Sequence, residues 1–262
     1  MNDRAAVRSG GLAITNPKIM LFALLLVYIL NFLDRQIINI LAEPIKGELG
    51  LSDTQLGLLA GPAFAVFYAV LGIPIARYAD NAKTNRVWLI SVCLAVWSAM
   101  TALCGVAQNF VQLALARIGV GVGEAGCTPA AHSLIADSVP PEKRSSAIAF
   151  FGLGIPIGGL LGLIIGGVVN DQYGWRMALM LVGMPGILLA FILPLLIRDP
   201  RRCADSPHFN TADTPVKAKL SIKDAVREVF ASKAYLYVFI AASFTAFLSY
   251  GKGLWTISFF IR

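Results

Sequence analysis

Lys18-Ile-Met-Leu-Phe-Ala-Leu-Leu-Leu-Val-Tyr-Ile-Leu-Asn-Phe-Leu-Asp-Arg-Gln-Ile-Ile-Asn-Ile-Leu41 is the stretch that decides the fold. As a helix rising about 1.5 Å per residue it extends ~36 Å, enough to cross a hydrocarbon core of about 30 Å. Further apolar runs follow at roughly 54–79, 86–107, 111–138, 143–170, 176–197 and 233–260. The expected fold is an all-α membrane protein with seven spans. Its organisation reads as an inner N-terminal tail over 1–17, a six-span bundle over 18–197, an inner central loop over 198–232 and a seventh span in 233–262.

Composition supports this reading. Hydrophobic residues make up 57% of the 262-residue chain and charged residues only 14%, against roughly 25% charged in a soluble domain. The net charge of +7 does not point to nucleic acid, because the basic residues fall in short links between apolar runs and form no continuous patch. Cys93, Cys104, Cys127 and Cys203 show neither CxxC spacing nor a disulfide framework. The first apolar run is too long for a signal peptide, so span 1 is expected to be an uncleaved anchor.

Assigning Lys and Arg to sides fixes the orientation. With the N-terminus in the cytoplasm, the inner segments hold Arg4, Arg8, Lys18, Arg77, Lys83, Arg86, Lys143, Arg144 and the basic residues of 198–233, against Lys46, Arg176 and Arg262 outside. Span starts at 18, 54 and 86 recur at 111, 143 and 176, an offset of about 90 residues, as two inverted three-span units produce. The pentapeptide at 71–75, repeated at 153–157, misses that register and is coincidental. In the central loop Ser221 and Asp224 form a capping box, and Ile222, Ala225, Val226, Val229 and Phe230 follow helical spacing, so a short amphipathic helix is expected there.

Charges within the spans are the informative residues, since each costs at least ~2.5–3.5 kcal/mol at the bilayer centre. Asp34 and Arg35 lie in span 1, and Arg117 and Glu124 in span 4. The latter two are two turns apart on one face, ~10 Å along the axis, and need partners elsewhere that Asp34 and Arg35 can supply. Such a set is either a structural ion-pair cluster or a titrating site in a cavity. Glu124, deep in span 4, is the expected titrating group. Glycine runs at 117–126 and 152–162 allow close helix approach and bending. Tyr28, Phe32, Phe64, Phe67, Tyr68 and Trp97 are candidates to line a cavity or to face lipid. His132, on the side of span 4 that carries Glu124, is either a proton relay or an interhelical hydrogen-bonding residue. No nucleotide cradle, metal-ligand cluster or nucleophile–base pair occurs, so no enzyme activity, cofactor or metal is expected.

Asn31-Phe-Leu-Asp-Arg35 and Arg117-Ile-Gly-Val-Gly-Val-Gly-Glu-Ala-Gly126, with Pro129 and Ser133-Leu-Ile-Ala-Asp137, resemble the signatures of the major facilitator superfamily and of its spinster-like transporters. Ala76-Arg-Tyr-Ala-Asp80 resembles the superfamily's inner-loop motif but departs from it at Ala76, Asn81 and Thr84-Asn85, keeping Asp80 with Lys83 and Arg86 displaced. The resemblance implies two six-span bundles working by alternating access, with this chain corresponding to the first bundle and span 7. It implies a proton-coupled secondary transporter for an amphiphilic or lipid-like organic solute. Asp34 and Glu124 would then be the proton-linked carboxylates, Arg35 and Arg117 the cavity arginines, and Tyr28, Phe32 and His132 further substrate contacts. An inner gate is expected where Asp80 meets Arg77 and Arg144. The implied partners are membrane lipids, the small substrate and protons, without nucleic acid. A full-length monomer in a bacterial inner membrane is expected, and this chain alone is not expected to transport.

Competing classes are a broad drug or organic-acid transporter, a non-transporting scaffold derived from a transporter half, and a seven-span photoreceptor with retinal on Lys252. The inner N-terminus and the long central loop count against the last.

Overall fold

The structure, a computed structural model, describes residues 16–202 and 230–261. These fall in two compact units divided between residues 206 and 207. All regular elements among the described residues are helical. The tail before residue 16, the amphipathic segment around Ser221, Cys203 and Arg262 lie outside the described residues.

In the first unit the helices are α1 (Pro17–Ile40), α2 (Ala42–Leu49), α3 (Asp53–Ala60), α4 (Pro62–Asp80), α5 (Arg86–Cys104), α6 (Phe110–Glu124), α7 (Cys127–Ser138), α8 (Pro141–Gly152) and α9 (Gly154–Leu196), followed by a 3-10 turn at Pro200–Arg202. Asparagine side chains cap several of them: Asn16 accepts from Lys18 N, Asn85 from Trp88 N and Asn109 from Gln112 N.

Six apolar stretches among the described residues are long enough to cross a membrane, Lys233–Gly253 in the second unit and five in the first: Pro17–Ile40, Asp53–Asp80, Arg86–Cys104, Phe110–Ser138 and Pro141–Leu196. Pro141–Leu196 is far too long for one crossing. Its reversal lies at Gly174, whose φ of 81° and ψ of 164° are open to glycine and strained for other residues. Before Gly174, the glycines at 154, 158, 162 and 166 meet Tyr28, Phe32, Gln36 and Ile40 in rising order, so this half runs parallel to α1. After it, Arg176, Gly183 and Gly186 meet Gly105, Ala102 and Ser98 in falling order, so this half runs antiparallel to α5. The first unit therefore holds six crossings.

Expected spans 2, 4 and 5 are each interrupted, and span 1 ends at Ile40 with the separate α2 beyond it. Pro44, Pro129 and Pro156 have no N–H to give to the carbonyls of Ile40, Ala125 and Gly152, and the helices stop at those places. Pro62 likewise begins α4 after the break at Gly61.

Side chains of the interior form two apolar clusters. One contains Leu24, Val27, Ile90, Leu94, Trp97, Val120, Leu134 and Phe151. The other contains Ile37, Leu41, Ile45, Leu113, Trp175 and Leu179. Along α1, α5 and α6 the changeover falls at residues 28–32, 98–103 and 117–119, and polar side chains occupy the layer between. The second unit is one described apolar helix, α10 (Lys233–Ile261), preceded by Ser232, whose hydroxyl accepts from Tyr235 N at 3.4 Å.

Close approach of α9 to α1 depends on Gly158, where a Cβ would collide with the Ile29 carbonyl and lie 2.9 Å from Phe32 Cβ. Gly159 has nothing within 4 Å of the same position. Gly158→Leu should lower stability by about 3 kcal/mol or more, beyond the range for simple overpacking because backbone is in the way, whereas Gly159→Leu should be near neutral. Thermal unfolding of the two variants in detergent checks this; equal melting temperatures would contradict the helix pairing.

Candidate functional site

Between the apolar clusters, α1 and α6 bring four charged side chains together. Asp34, Arg117 and Glu124 are buried at 2%, 3% and 0% relative exposure, so none of them faces lipid. Arg35 donates from Nε to Glu124 Oε2 at 2.7 Å. Arg117 Nη1 lies 4.0 Å from Asp34 Oδ2, an ion pair without hydrogen-bond contact. Thr101 of α5 supports the carboxylate, its hydroxyl 2.6 Å from Asp34 Oδ1 and 3.0 Å from the Trp97 carbonyl. The pairing therefore crosses between helices, with each arginine matched to the carboxylate of the other helix.

Several polar atoms in this layer have no hydrogen-bond partner: both amide atoms of Asn31, Asp34 Oδ2, Arg117 Nε and Glu124 Oε1. Unsatisfied buried polar atoms are costly and mark places where a structure keeps bonding capacity in reserve. The two arginines are held unequally. Arg35 has a short charge-assisted bond, while Arg117 has the looser pair and an unmatched Nε.

Glycines explain how the charges reach one another. In Arg117-Ile-Gly-Val-Gly-Val-Gly-Glu124 the alternate glycines face different neighbours. A Cβ at Gly119 would lie 2.7 Å from Met100 Sδ, at Gly121 2.6 Å from the Phe64 carbonyl oxygen, and at Gly123 2.6 Å from Trp97 N. The run wedges α6 between α4 and α5, and α6 ends directly at Glu124. Close packing is thus one evident use of these glycines, beside the bending expected from the sequence.

The aromatic candidates divide. Tyr28 stacks on Phe151 at 4.0 Å between centroids and meets Phe32 edge-on at 5.0 Å. His132, exposed, meets Phe151 edge-on at 5.6 Å. Phe64 and Tyr68, not singled out among the expected substrate contacts, lie against Arg35. Trp97 is buried in the core. Phe67 is exposed.

The face carrying residues 79–86, 133–144 and 199–201, where the Asp80 trio is expected, holds an ion cluster of other residues. Asp80 and Arg77 are exposed, and Arg144 donates from Nε to the Val139 carbonyl. The centre is Arg86, fully buried, which donates from Nε and Nη2 to the two Asp199 oxygens at 3.0 and 2.5 Å and from Nη1 to Asp137 Oδ2 at 2.6 Å. Arg201 adds a bond to Asp137 Oδ2 at 2.8 Å and reaches the carbonyls of Ala79 and Asp80 at 3.2 and 3.5 Å. Asp80 thus joins through its backbone. The trace in the sequence was slight: Asp137 closes the apolar run of span 4, and Asp199 stands between Arg198 and Arg201.

On the opposite face Trp175 Nε1 donates to Glu48 Oε2 at 2.6 Å, and Arg176 donates to Glu48 Oε1 and to the carbonyls of Gly105 and Ala107. This ties the reversal at Gly174 to α2 and to the end of α5.

The sequence pattern of the Major Facilitator Superfamily matches residues 24–261. An MFS-type efflux pump of Mycolicibacterium smegmatis is 42% identical over 174 residues, covering 66% of this chain and 40% of that protein. A sphingosine-1-phosphate transporter of Danio rerio is 25% identical over 240 residues, covering 89% of this chain and 46% of that protein. Among solved structures, a bacterial homolog to the human lysosomal transporter spinster, inward-facing and unoccupied, is similar with a TM-score of 0.80 at 38% identity, covering 94% of this chain and 56% of that one. The chain spans about half the length of the curated relatives it matches.

Burial pushes the Asp199 carboxyl up, but the hydrogen bonds and charge of Arg86 outweigh it and hold the group below its usual value of 3.8. A carboxyl lowered by folding stabilises the fold above its unfolded value, and that contribution is lost as pH falls through the folded one. Asp199→Asn should cost about 3 kcal/mol, because it leaves buried Arg86 short of a counter-charge. Melting curves between pH 7 and pH 3 should show the gap between wild type and variant narrowing below pH ~4. A constant gap would mean that the carboxylate charge is not what stabilises.

Proposed function

The chain belongs to the Major Facilitator Superfamily, in its spinster-like branch, and from that premise we propose that it carries the coupling site of a proton-driven secondary transporter. The transporter moves an amphiphilic, lipid-like organic anion by alternating access. The observation that carries the reading is the crossed pairing of Arg35 with Glu124 and Arg117 with Asp34 inside the membrane layer. A purely structural cluster is best served by closed, fully hydrogen-bonded ion pairs, and this one leaves Arg117 Nε and one oxygen of each carboxylate without a hydrogen bond.

With both carboxylates ionised the four charges sum to zero. A proton on either carboxylate leaves one arginine in excess, which favours an anionic head group in the same layer. Proton and cargo then affect each other through shared charges, which is coupling by linkage. Arg117 is the arginine that takes the head group, since its present hold on Asp34 is the weaker. Tyr28 and Phe32, half-buried on α1 and continuous with Phe151 and His132, offer a wall for the apolar tail. The sphingosine-1-phosphate transporter among the relatives supports a cargo of this chemistry. A second reading, export of hydrophobic drugs, draws on the 42% identity to an efflux pump.

The face of Arg86 and Arg201 is assigned to the cytoplasm with the N-terminus, following the distribution of Lys and Arg. There Asp80 reaches Arg201 through its backbone carbonyl, and the gating role given to Asp80, Arg77 and Arg144 extends to the Arg86–Asp137–Asp199–Arg201 cluster. The complete transporter works as a monomer among the lipids of a bacterial inner membrane, and the bundle, loop and span-7 division expected from the sequence is retained.

In the complete transporter reconstituted in liposomes, Glu124→Gln should reduce pH-gradient-driven uptake of a sphingoid phosphate at least tenfold while leaving equilibrium binding measurable. Arg117→Ala should weaken binding of the anionic cargo by about tenfold or more, as expected for loss of a charge-assisted contact. Full pH-driven transport by Glu124→Gln would remove Glu124 from the mechanism. Uptake of uncharged drugs in preference to the phosphate would favour the second reading.

A further inference from the structure

Phe64 and Tyr68 stand four residues apart on α4 and share one helix face. Their rings stack with centroids 5.4 Å apart and planes 19° from parallel. The guanidinium carbon of Arg35 lies 4.6 Å from the Tyr68 centroid, 4.9 Å from that of Phe64 and 5.4 Å from that of Phe32. Arg117 lies 5.4 Å from the same Phe64 ring. One ring therefore serves both guanidinium groups, and three rings serve Arg35. Attraction of a cation to a ring face strengthens as the pair is removed from water, and the Arg35 side chain is only 14% exposed.

The register that places Phe64 here is fixed by backbone, since Gly121 packs directly on the Phe64 carbonyl. Phe64 thus cannot withdraw from the arginines without α4 separating from α6. Its position over the charges follows from helix packing.

We infer that Phe64 and Tyr68 are positioning residues, holding Arg35 in the charge layer whether or not Glu124 carries its charge, so that Arg117 is the arginine that changes partner. Neutralising Glu124 removes the charge from this ion pair and leaves only a carbonyl oxygen to accept from Arg35, so without the rings both arginines would be freer to compete for the anion. The ring faces of Phe64 and Tyr68 do not depend on the charge of Glu124 and keep their attraction when it is neutralised. The inference deepens the transporter reading and rests on it for its consequence, while the placement of Arg35 can be read without transport.

The test uses the 262-residue chain in lipid nanodiscs with 15N-labelled arginine, following the Nε–H signal of Arg35, assigned by its loss in Arg35→Lys. Glu124→Gln stands in for the neutral carboxyl. The signal should persist with slow hydrogen exchange in Glu124→Gln and in the double variant Glu124→Gln with Tyr68→Phe, which keeps the ring. It should exchange at least tenfold faster in Glu124→Gln with Tyr68→Leu. Tyr68→Met in the same background fills the space without a ring and should also exchange faster; it replaces the leucine variant should that one lose its helical circular dichroism. Loss of the signal in Glu124→Gln alone would overturn the inference, as would slow exchange in the methionine variant, which would reduce the ring to a space-filler. Neither result touches the transporter reading, which falls instead if Glu124→Gln keeps pH-driven uptake.

Discussion

Four charged side chains in a layer bounded above and below by apolar clusters must find their counter-charges within that layer, and the rest of the bundle is arranged around this requirement. Asp34 and Arg35 are neighbours in sequence and point to different partners, so α1 is held to α6 through two separate contacts. Thr101 brings α5 into the same layer. The cost of an unpaired charge in hydrocarbon exceeds what any single apolar contact supplies, so an arrangement that separated these helices would be expensive. The ion pairs fix which helix faces meet, and the apolar clusters fill the space on either side.

Glycine makes the pairing geometrically possible. A layer of charges kept from lipid and water demands that the surrounding helices close tightly on it, and the alternating glycines of α6 remove the side chains that would keep α4 and α5 away. The same device recurs at Gly154, Gly158, Gly162 and Gly166 along α9, where it seats that helix on α1. The bundle is thus held by two kinds of constraint, charge neutralisation at its middle and backbone contact along its seams.

Much of this was legible in the sequence. The apolar runs gave the crossings, because a membrane imposes a length on helices that composition alone can meet. The four charges of the middle layer stood out because each was costly where it lay. Less legible were features that depend on which helix faces which. Arg86 and Arg201 count as topology markers in the sequence, and only folding shows Arg86 buried between Asp137 and Asp199. Phe64 and Tyr68 are apolar-face residues like many others until α4 is placed over Arg35. The helix breaks near Ile40, Ala125 and Gly152 each have a proline four residues on, Pro44, Pro129 and Pro156, but Pro74, Pro185 and Pro194 lie within continuous helix, so a proline alone did not locate a break. Asp80 showed the opposite difficulty. Its resemblance to a known loop motif pointed to its carboxylate, while the contact it makes to Arg201 runs through its backbone carbonyl.

The interruption between α6 and α7 falls immediately after Glu124. A continuous helix through this point would act as one stiff rod, and displacing its lower end would drag the whole of its packed length. Ala125 and Gly126 keep right-handed helical angles across the gap, so α6 and α7 follow one path with a local break in it. The first segment is pinned by glycine contacts to α4 and α5, and the second is gripped near its far end, where Asp137 meets Arg86 and Arg201. The carboxylate of Glu124 therefore sits at the junction of two segments held by different means, backbone contact on one side and ion pairs on the other.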